Sequence, residues 1–292
     1  GNQILDIGYA SMAGATKLLH GVLPYGHLVG VTHGDTYGVL MYAWYVPAAL
    51  VAPVSDPYDV VDGALWTAAA AVIATGWALS SITGRRLTVA AAGVAAAWFA
   101  HPAVVRTGAG GANDVVLAAV VAVALASSGT TRRTAALTAG IWSKLVPLVL
   151  VPPQLAAAGR EGSRRAVAGL AAVSAAALAI LFAFGGSGGL HAMLHGLAFQ
   201  NVRSSTHSLW VLTGLERVRP AAVAAACLMV VAATVVAARD RGLRDDLRRT
   251  AALWASLLIA VELAANYWSP SFMPWFYPLV LIALFSPRPG VD

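Results

Sequence analysis

Long apolar runs separated by short polar breaks dominate this chain. Nine runs are ~15 to 23 residues long, near the ~20 residues that a helix needs to cross ~30 Å of hydrocarbon. We place predicted spans near residues 38–54, 63–82, 88–105, 114–128, 134–156, 166–184, 220–238, 250–266 and 272–286. Because the runs are continuous rather than alternating, they predict helices and not a barrel. The expected fold is an all-α, polytopic transmembrane helical bundle, a single membrane domain over residues 1–292.

Two longer segments stand apart from these runs, residues 1–37 and 185–219. Nine alternating spans put both segments on one side of the membrane, opposite the basic connections AAGREGSRR (157–165) and ARDRGLRDDLRR (238–249). Cytoplasmic loops are enriched in Lys and Arg, so we expect the two long loops to be extracytoplasmic. On this assignment the extracytoplasmic side also receives Arg85, Arg86, Arg132 and Arg133.

Local signals refine two of these segments. In the first loop, DIGYASMAGATKLLHG predicts an amphipathic surface helix, with Tyr9, Met12 and Leu19 on one face and Gly21 as its end. In the predicted span 134–156, Lys144 together with Pro147 favours a break.

Composition supports a membrane protein and removes several other classes. The chain is 59% hydrophobic and 11% charged, against about 25% charged residues in ordinary soluble domains. The net charge of +6 comes mainly from Arg in short loops, which indicates membrane orientation and contact with membrane lipids rather than nucleic-acid binding. Cys227 is the single cysteine, and the histidines lack metal-ligand spacing, so we expect no disulfide and no metal site.

Few ionisable residues remain, and each is costly at or inside a bilayer. Asp6 and Asp35 are carboxylates of the first loop, and either has the chemistry to accept a proton from an acceptor hydroxyl. Their ordinary alternative is a helix cap or a turn residue. Arg203 and His207, four residues apart in QNVRSSTHSLW, suit a phosphate group, although an exposed polar turn explains them as well.

Lys144 lies among apolar residues in TAGIWSKLVPLVLVPP. Snorkelling to an interface is one interpretation, and pairing with an anion is the other. That anion is either a carboxylate, for which Glu262 is a candidate, or a lipid phosphate.

The order of motifs resembles a known family. Along the chain come D-x-x-Y from Asp6, a His-Gly-x-x-x-Tyr element from His20, GDTYG, GANDVVLA, AGIWSKLVPL and NYWSPSFMPWFYP. This order resembles the GT-C fold polyprenyl-phosphate-sugar-dependent glycosyltransferases, in particular the actinobacterial mannosyltransferase-like group. The similarity covers most of the chain.

The resemblance implies transfer of a sugar, mannose by expectation, from a polyprenyl-phosphate donor to a lipid or glycan hydroxyl, with inversion and without metal or cofactor. It implies a multi-pass plasma-membrane enzyme with an extracytoplasmic active site. Asp6 is then the expected catalytic base, with Asp35 second, and the donor phosphate falls to Arg203, His207 and Lys144. We expect substrate contacts from Tyr9, Tyr37, Asn113, Asp114, Tyr267 and Trp268.

Two alternatives stay open. A transporter or lipid-handling protein would use Lys144, Asp114 and Glu262 as pathway residues. An inactive relative is the other, because the family has a transmembrane helix before its acidic surface helix and we expect this chain to lack that span.

Overall fold

The computed structural model describes residues 6–28, 34–54, 62–83 and 89–286. In these ranges the chain is helical apart from turns and connections, without strand, so the all-α class is confirmed. The α-helices are α1 (Asp6–Leu19), α2 (Val39–Ala43), α3 (Val46–Ala49), α4 (Asp62–Thr83), α5 (Val89–Ala100), α6 (Pro102–Ala109), α7 (Asp114–Ala126), α8 (Thr130–Ile141), α9 (Val151–Gly185), α10 (Gly189–Ala198), α11 (Leu209–Thr213), α12 (Arg219–Arg239), α13 (Leu247–Ala264) and α14 (Met273–Phe285). Short 3-10 helices cover Val146–Leu150, Gly186–Gly188, Phe199–Asn201, Glu216–Val218, Arg241–Arg244 and Pro270–Phe272.

Helix α7 is the centre of the bundle. Its sequence, DVVLAAVVAVALA, is apolar all round after Asp114, and eleven of its thirteen residues are buried. A helix that is hydrophobic on every face belongs inside a bundle. Helix α12 is the opposite case, because only Ala226, Ala233 and Ala237 of its apolar residues are buried. Its exposed Val and Leu side chains therefore suit a lipid environment.

Two reversals organise the segment after α7. The chain turns back at Lys144, since Gln154 at the start of α9 lines the same cavity as Thr130 at the start of α8. A second break lies at Gly159, whose positive φ of 66° interrupts α9. The returning half of α9 crosses α8 closely, because a Cβ on Gly169 would lie 2.4 Å from the Thr131 carbonyl oxygen. Both predicted breaks, at Lys144 and in residues 157–165, thus mark turns of the chain.

In the part of the chain that the structure describes, three stretches are long and apolar enough to cross a membrane: Asp62–Thr83, Val146–Ala198 and Glu216–Arg239. A fourth is possible if the pair Val89–Ala100 and Pro102–Ala109, bent by 56°, counts as one span. These stretches agree with a membrane protein, but the nine predicted spans are not confirmed. The run 38–54, for example, forms the short helices α2 and α3 rather than one continuous helix. The segment 185–219, expected as a loop, is largely helical.

The structure corrects the predicted side of two arginines. Residues from 129–133, 153–158 and 243–254 line one cavity, so Arg132 and Arg133 lie at the same end of the bundle as the basic connections 157–165 and 238–249. The alternating count put Arg132 and Arg133 on the opposite side because it treated 134–156 as one crossing rather than a reversal at Lys144. Arg85 and Arg86 lie outside the described residues.

Helix α1 forms where the sequence predicted it, but it is not a surface helix. Nine of its fourteen residues are buried. Small residues allow this close packing, since a Cβ on Gly14 would lie 2.1 Å from the Tyr42 ring. Met12 and Ala15 belong to a buried core with Tyr42, Ala64 and residues of α9. The alanines and glycines that lower its amphipathic contrast are the reason that it fits inside.

Candidate functional site

A buried ion pair joins two helix ends. Asp114 is the first residue of α7 and Lys144 follows the C-terminal end of α8. The Lys144 Nζ contacts Asp114 Oδ1, with Asp114 0% and Lys144 8% exposed. Each charge lies at the helix end whose dipole favours it, because an N-terminus stabilises an anion and a C-terminus a cation. The α7–α8 hairpin therefore positions both charges.

Aromatic side chains enclose this pair. Trp275 of α14 donates its indole N–H to Asp114 Oδ1 at 2.9 Å. The Lys144 Nζ lies 5.1 Å from the centroids of both the Tyr37 and the Trp275 rings and 5.9 Å from that of Phe272. These distances are within the range of cation–π attraction. The ammonium is thus held by a carboxylate and by ring faces in place of water.

Tyr37 reaches Lys144 because its chain segment docks on the residues that precede the lysine. The Gly38 and Leu40 N–H groups donate to the Ser143 and Trp142 carbonyls, both at 3.0 Å. Only glycine fits at position 38, where a Cβ would lie 2.0 Å from the Trp142 carbonyl oxygen. Burial, and secondarily the Asp114 charge, raise the pKa of the Tyr37 phenol well above its usual value. The phenol therefore stays protonated and remains a hydrogen-bond donor.

A cavity of about 160 Å³ opens beside the ion pair, and we call it the ion-pair cavity. Residues from both of the long segments and from the region 267–275 form its walls. They are Ile7, Thr36, Tyr37, Lys144, Leu145, Val146, Leu197, Gln200, Arg203, Tyr267, Phe272 and Trp275. Two cations and several apolar and aromatic groups thus share one cavity.

Arg203 is the second cation, and the surrounding segments hold it in place. Its guanidinium carbon lies 3.5 Å from the centroid of the Tyr267 ring, a stacked arrangement that suits the planar group. Ser205 fixes this segment to the next wall, because its N–H and hydroxyl donate to the Asn266 and Trp268 carbonyls at 3.1 and 3.0 Å. Arginine in this setting keeps hydrogen-bond donors for an oxyanion.

Several buried polar atoms at or near the pair have no hydrogen-bond partner among the described residues. They include Asp114 Oδ2, Asn113 Oδ1 and Thr36 Oγ1. Asn113 donates a side-chain amide N–H to the Ser11 hydroxyl at 3.0 Å. Its side-chain carbonyl oxygen, Oδ1, has no partner among the described residues. Buried polar groups are nearly always hydrogen-bonded, so a cluster of exceptions beside a cavity is typical of a site that receives a polar ligand.

The two predicted catalytic carboxylates occupy different settings. Asp6 is exposed at the start of α1, where its Oδ1 accepts the Ile7 N–H at 2.8 Å, the cap-like bond expected of the ordinary alternative. Its neighbour Ile7 lines the ion-pair cavity. Asp35 lies outside that lining, and its Oδ2 accepts the N–H of Gly26, a residue with φ of 73°, at 2.9 Å. The structure thus gives Asp35 a role in holding a turn and leaves Asp6 near the cavity.

Other predicted site residues lie apart. His207 is exposed in an irregular stretch and does not share a helical face with Arg203. Trp268 donates its indole N–H to Glu262 Oε2 at 3.3 Å. The carboxylate that pairs with Lys144 is Asp114 and not the predicted candidate Glu262. Tyr9 packs on the core around α1.

The sequence did not predict eight of the twelve lining residues, and three of these eight carry polar groups: Thr36, Gln200 and Trp275. Trp275 lies in the NYWSPSFMPWFYP segment, whose sequence does not indicate which acceptor its indole N–H meets. The acid in the first turn of α7 and the lysine just beyond α8 were also a signal, since a short helical hairpin brings such ends together. Gln200, with its amide N–H 3.4 Å from the Thr36 carbonyl, gave no sequence signal.

Among the described residues, no three His, Cys, Asp or Glu side chains form a group able to hold a metal ion. Comparisons with protein-family models, with curated proteins and with solved structures give no match for this chain. A function is therefore inferred from the geometry of the site and from the order of motifs along the chain.

Proposed function

We propose that this protein is a multi-pass plasma-membrane glycosyltransferase that uses a polyprenyl-phosphate sugar, with mannose as the first candidate. The observation that carries the proposal is the ion-pair cavity, in which Lys144 and Arg203 face apolar and aromatic walls. A lipid phosphate needs this combination, because its head is anionic and its tail is apolar. The order of motifs along the chain supports sugar transfer as the reaction, because it resembles that of the polyprenyl-phosphate-sugar-dependent glycosyltransferases.

Charge balance supports a phosphate that carries a sugar and a lipid. Lys144 is already compensated by Asp114, so among the described lining residues Arg203 is the charged side chain without a counter-ion. A phosphodiester of sugar and prenol carries one negative charge, which matches the single positive charge of Arg203. The Lys144 ammonium has three N–H donors, and Asp114 Oδ1 takes one. The guanidinium offers a planar pair of donors to phosphate oxygens.

The proposed reaction is a single inverting displacement. The acceptor hydroxyl oxygen bonds to the anomeric carbon as the bond from that carbon to the phosphate oxygen breaks, and polyprenyl phosphate leaves with the electron pair. A carboxylate takes the hydroxyl proton, and Asp6 is the proposed base because it lies beside the cavity residue Ile7. Lys144 and Arg203 stabilise the charge that grows on the leaving phosphate. The active site is then extracytoplasmic, opposite the arginine-rich end of the bundle.

Transfer of radiolabelled sugar from polyprenyl-phosphate-mannose, in membranes that contain the chain, tests this proposal. Asp6→Asn is compared with Asp62→Asn, a matched control because Asp62 is also exposed in the first turn of a helix. We expect label in a lipid or glycan product, lost with Asp6→Asn and kept with Asp62→Asn. Asp35→Asn, run alongside, reports on the second candidate base. If no transfer occurs from mannose, glucose or arabinose carriers, the enzyme proposal fails and a transporter or lipid-handling role takes its place.

A further inference from the structure

Exposed aliphatic side chains follow one another along the segment 202–218, which begins beside the ion-pair cavity, and we call them the aliphatic patch. They are Val202, Leu209, Leu212, Leu215 and Val218, with exposed fractions from 48% for Leu209 to 75% for Val202. Single exposed apolar residues are ordinary on a protein surface, whereas a group of large ones in one short segment is typical of a contact surface. Nothing in the proposed sugar transfer uses this surface.

The local fold turns the leucines outward. Helix α11 begins after Ser208, whose hydroxyl accepts the Val211 N–H at 3.2 Å, and it ends at Gly214, with φ of 67°. Leu209 and Leu212 are three positions apart in this helix, so they lie on one face, and both are exposed. The aromatic residue between them, Trp210, is buried. The helix therefore buries its tryptophan and presents its leucines.

Two side chains fix this segment to the end of α13. The last carbonyl groups of a helix need partners from outside the helix. Trp210 donates its indole N–H to the Leu263 carbonyl at 2.9 Å, and Arg219 donates its Nε–H to the Ala264 carbonyl at 3.3 Å. The segment is thus held on both sides of Leu212 and Leu215, and these leucines stay on the surface.

The continuation of the chain indicates a membrane as the partner of the patch. The stretch Glu216–Arg239, which is long and apolar enough to cross a membrane, begins inside the segment. Val218 belongs to this stretch, and Leu212 and Leu215 precede it directly. The patch therefore leads into a helix, α12, whose own apolar residues are mostly exposed.

The charges of the segment also favour a lipid surface. Residues 199–215 include Arg203 and His207 and no Asp or Glu. Phospholipid surfaces are zwitterionic or anionic, so they attract basic segments. Exposed polar residues, Ser204, Thr206 and His207, separate Val202 from the leucines. Aliphatic residues combined with polar and basic neighbours are typical of segments that lie in the membrane interface.

We propose that the aliphatic patch inserts into the headgroup–acyl boundary of the leaflet on the side of the ion-pair cavity. Interfacial segments of this kind reach about 5–10 Å into that boundary. The cavity then opens toward the same leaflet, because Val202 adjoins the lining residue Arg203, and Leu145, itself 49% exposed, belongs to the lining. A lipid phosphate would enter sideways from the bilayer. This lateral entry rests on the proposed function, whereas the insertion does not.

A depth measurement on the full chain in phosphatidylcholine and phosphatidylglycerol vesicles tests the insertion. Cys227, the single cysteine, is changed by Cys227→Ala, and an NBD fluorophore is attached at Leu212→Cys. Leu228→Cys marks the hydrocarbon, because Leu228 is 68% exposed in the middle of the stretch Glu216–Arg239. Glu161→Cys marks water, because Glu161 is exposed in the basic connection 157–165. The quenchers are iodide and lipids with a nitroxide either near the headgroup or near the end of the acyl chain.

We expect the Leu212→Cys fluorophore to be quenched more strongly by the shallow nitroxide than by the deep one, and only weakly by iodide. Leu228→Cys should prefer the deep nitroxide, and Glu161→Cys should respond to iodide alone. The insertion is overturned if Leu212→Cys responds as Glu161→Cys does, because the patch then lies in water. It is also overturned if Leu212→Cys prefers the deep nitroxide, or if no quencher reaches it, because a second copy or another protein then covers the patch.

Binding of polyprenyl phosphate from vesicles tests the lateral entry. Leu212→Ser should weaken this binding about tenfold, because burial of a leucine favours the inserted, binding-competent state on that scale. Leu228→Ser is the matched control, with the same substitution at 68% exposure against 71%, and should bind as the parent does. Both variants should bind a short-chain prenyl phosphate in detergent as the parent does, because no bilayer is involved.

Equal binding from vesicles by the parent and Leu212→Ser would overturn the lateral entry. If the parent binds neither compound, the proposed function fails, and the depth measurement still decides the insertion.

Discussion

The Lys144 ammonium and the Asp114 carboxylate form a buried pair that fixes the two ends of the α7–α8 hairpin against each other. Lys144 also lines the ion-pair cavity, and Asp114 accepts the Trp275 indole N–H. Taking two charges out of water is costly, and the attraction between them offsets that cost only while both are present. Stability and site geometry therefore depend on the same two side chains.

Removing one charge of this pair should destabilise the protein strongly. We expect Asp114→Asn or Lys144→Met to cost about 3–5 kcal/mol, because each leaves an uncompensated buried charge. The double variant should cost clearly less than the sum of the single ones. Unfolding of the purified chain in micelles with rising SDS fraction measures all four proteins. Strictly additive costs would mean that the pair does not couple the helices.

Trp275→Phe isolates the indole hydrogen bond. The ring, stacked 4.2 Å from Phe272 between centroids, is largely retained, while Asp114 Oδ1 loses its second donor. Hydrogen bonds to charged groups contribute about 1.5–3 kcal/mol, and the same unfolding measurement should show a loss of that size. Trp66→Phe is the control, since Trp66 is 51% exposed and should stay within about 0.5 kcal/mol of the parent. Equal effects of the two substitutions would contradict the role given to the Trp275 N–H.

The crossing of α8 and α9 predicts a difference between two glycines. Gly169→Ala places a Cβ 2.4 Å from the Thr131 carbonyl oxygen, so α9 has to move away and the protein should lose about 1–3 kcal/mol of stability. Gly93→Ala, in α5, meets nothing within 4 Å and should be neutral or slightly stabilising, because alanine is the better helix former. Thermal unfolding midpoints of the two variants decide this. A harmless Gly169→Ala would mean that the helices are farther apart than described.

Sequence patterns predicted the helical class, the helix at Asp6–Leu19 and the break at Lys144, because each depends on local composition. The burial of α1 was not predictable from its own residues, since it depends on the ring of Tyr42 packing where Gly14 leaves space. In the site, four residues predicted from the sequence share the ion-pair cavity: Tyr37, Lys144, Arg203 and Tyr267. The partner of Lys144 was not predicted, because spacing along the chain does not show which carboxylate the hairpin brings next to the lysine.

The account depends most on the ion-pair cavity as a site for a lipid phosphate, and direct binding of polyprenyl phosphate tests that claim. Native mass spectrometry of the purified chain compares the parent with Arg203→Gln and with Arg217→Gln, an exposed arginine outside the cavity lining. We predict that the parent and Arg217→Gln bind polyprenyl phosphate alike. Arg203→Gln should bind it more weakly by a factor of about ten or more. Equal binding by all three proteins, or no binding by the parent, would contradict the account.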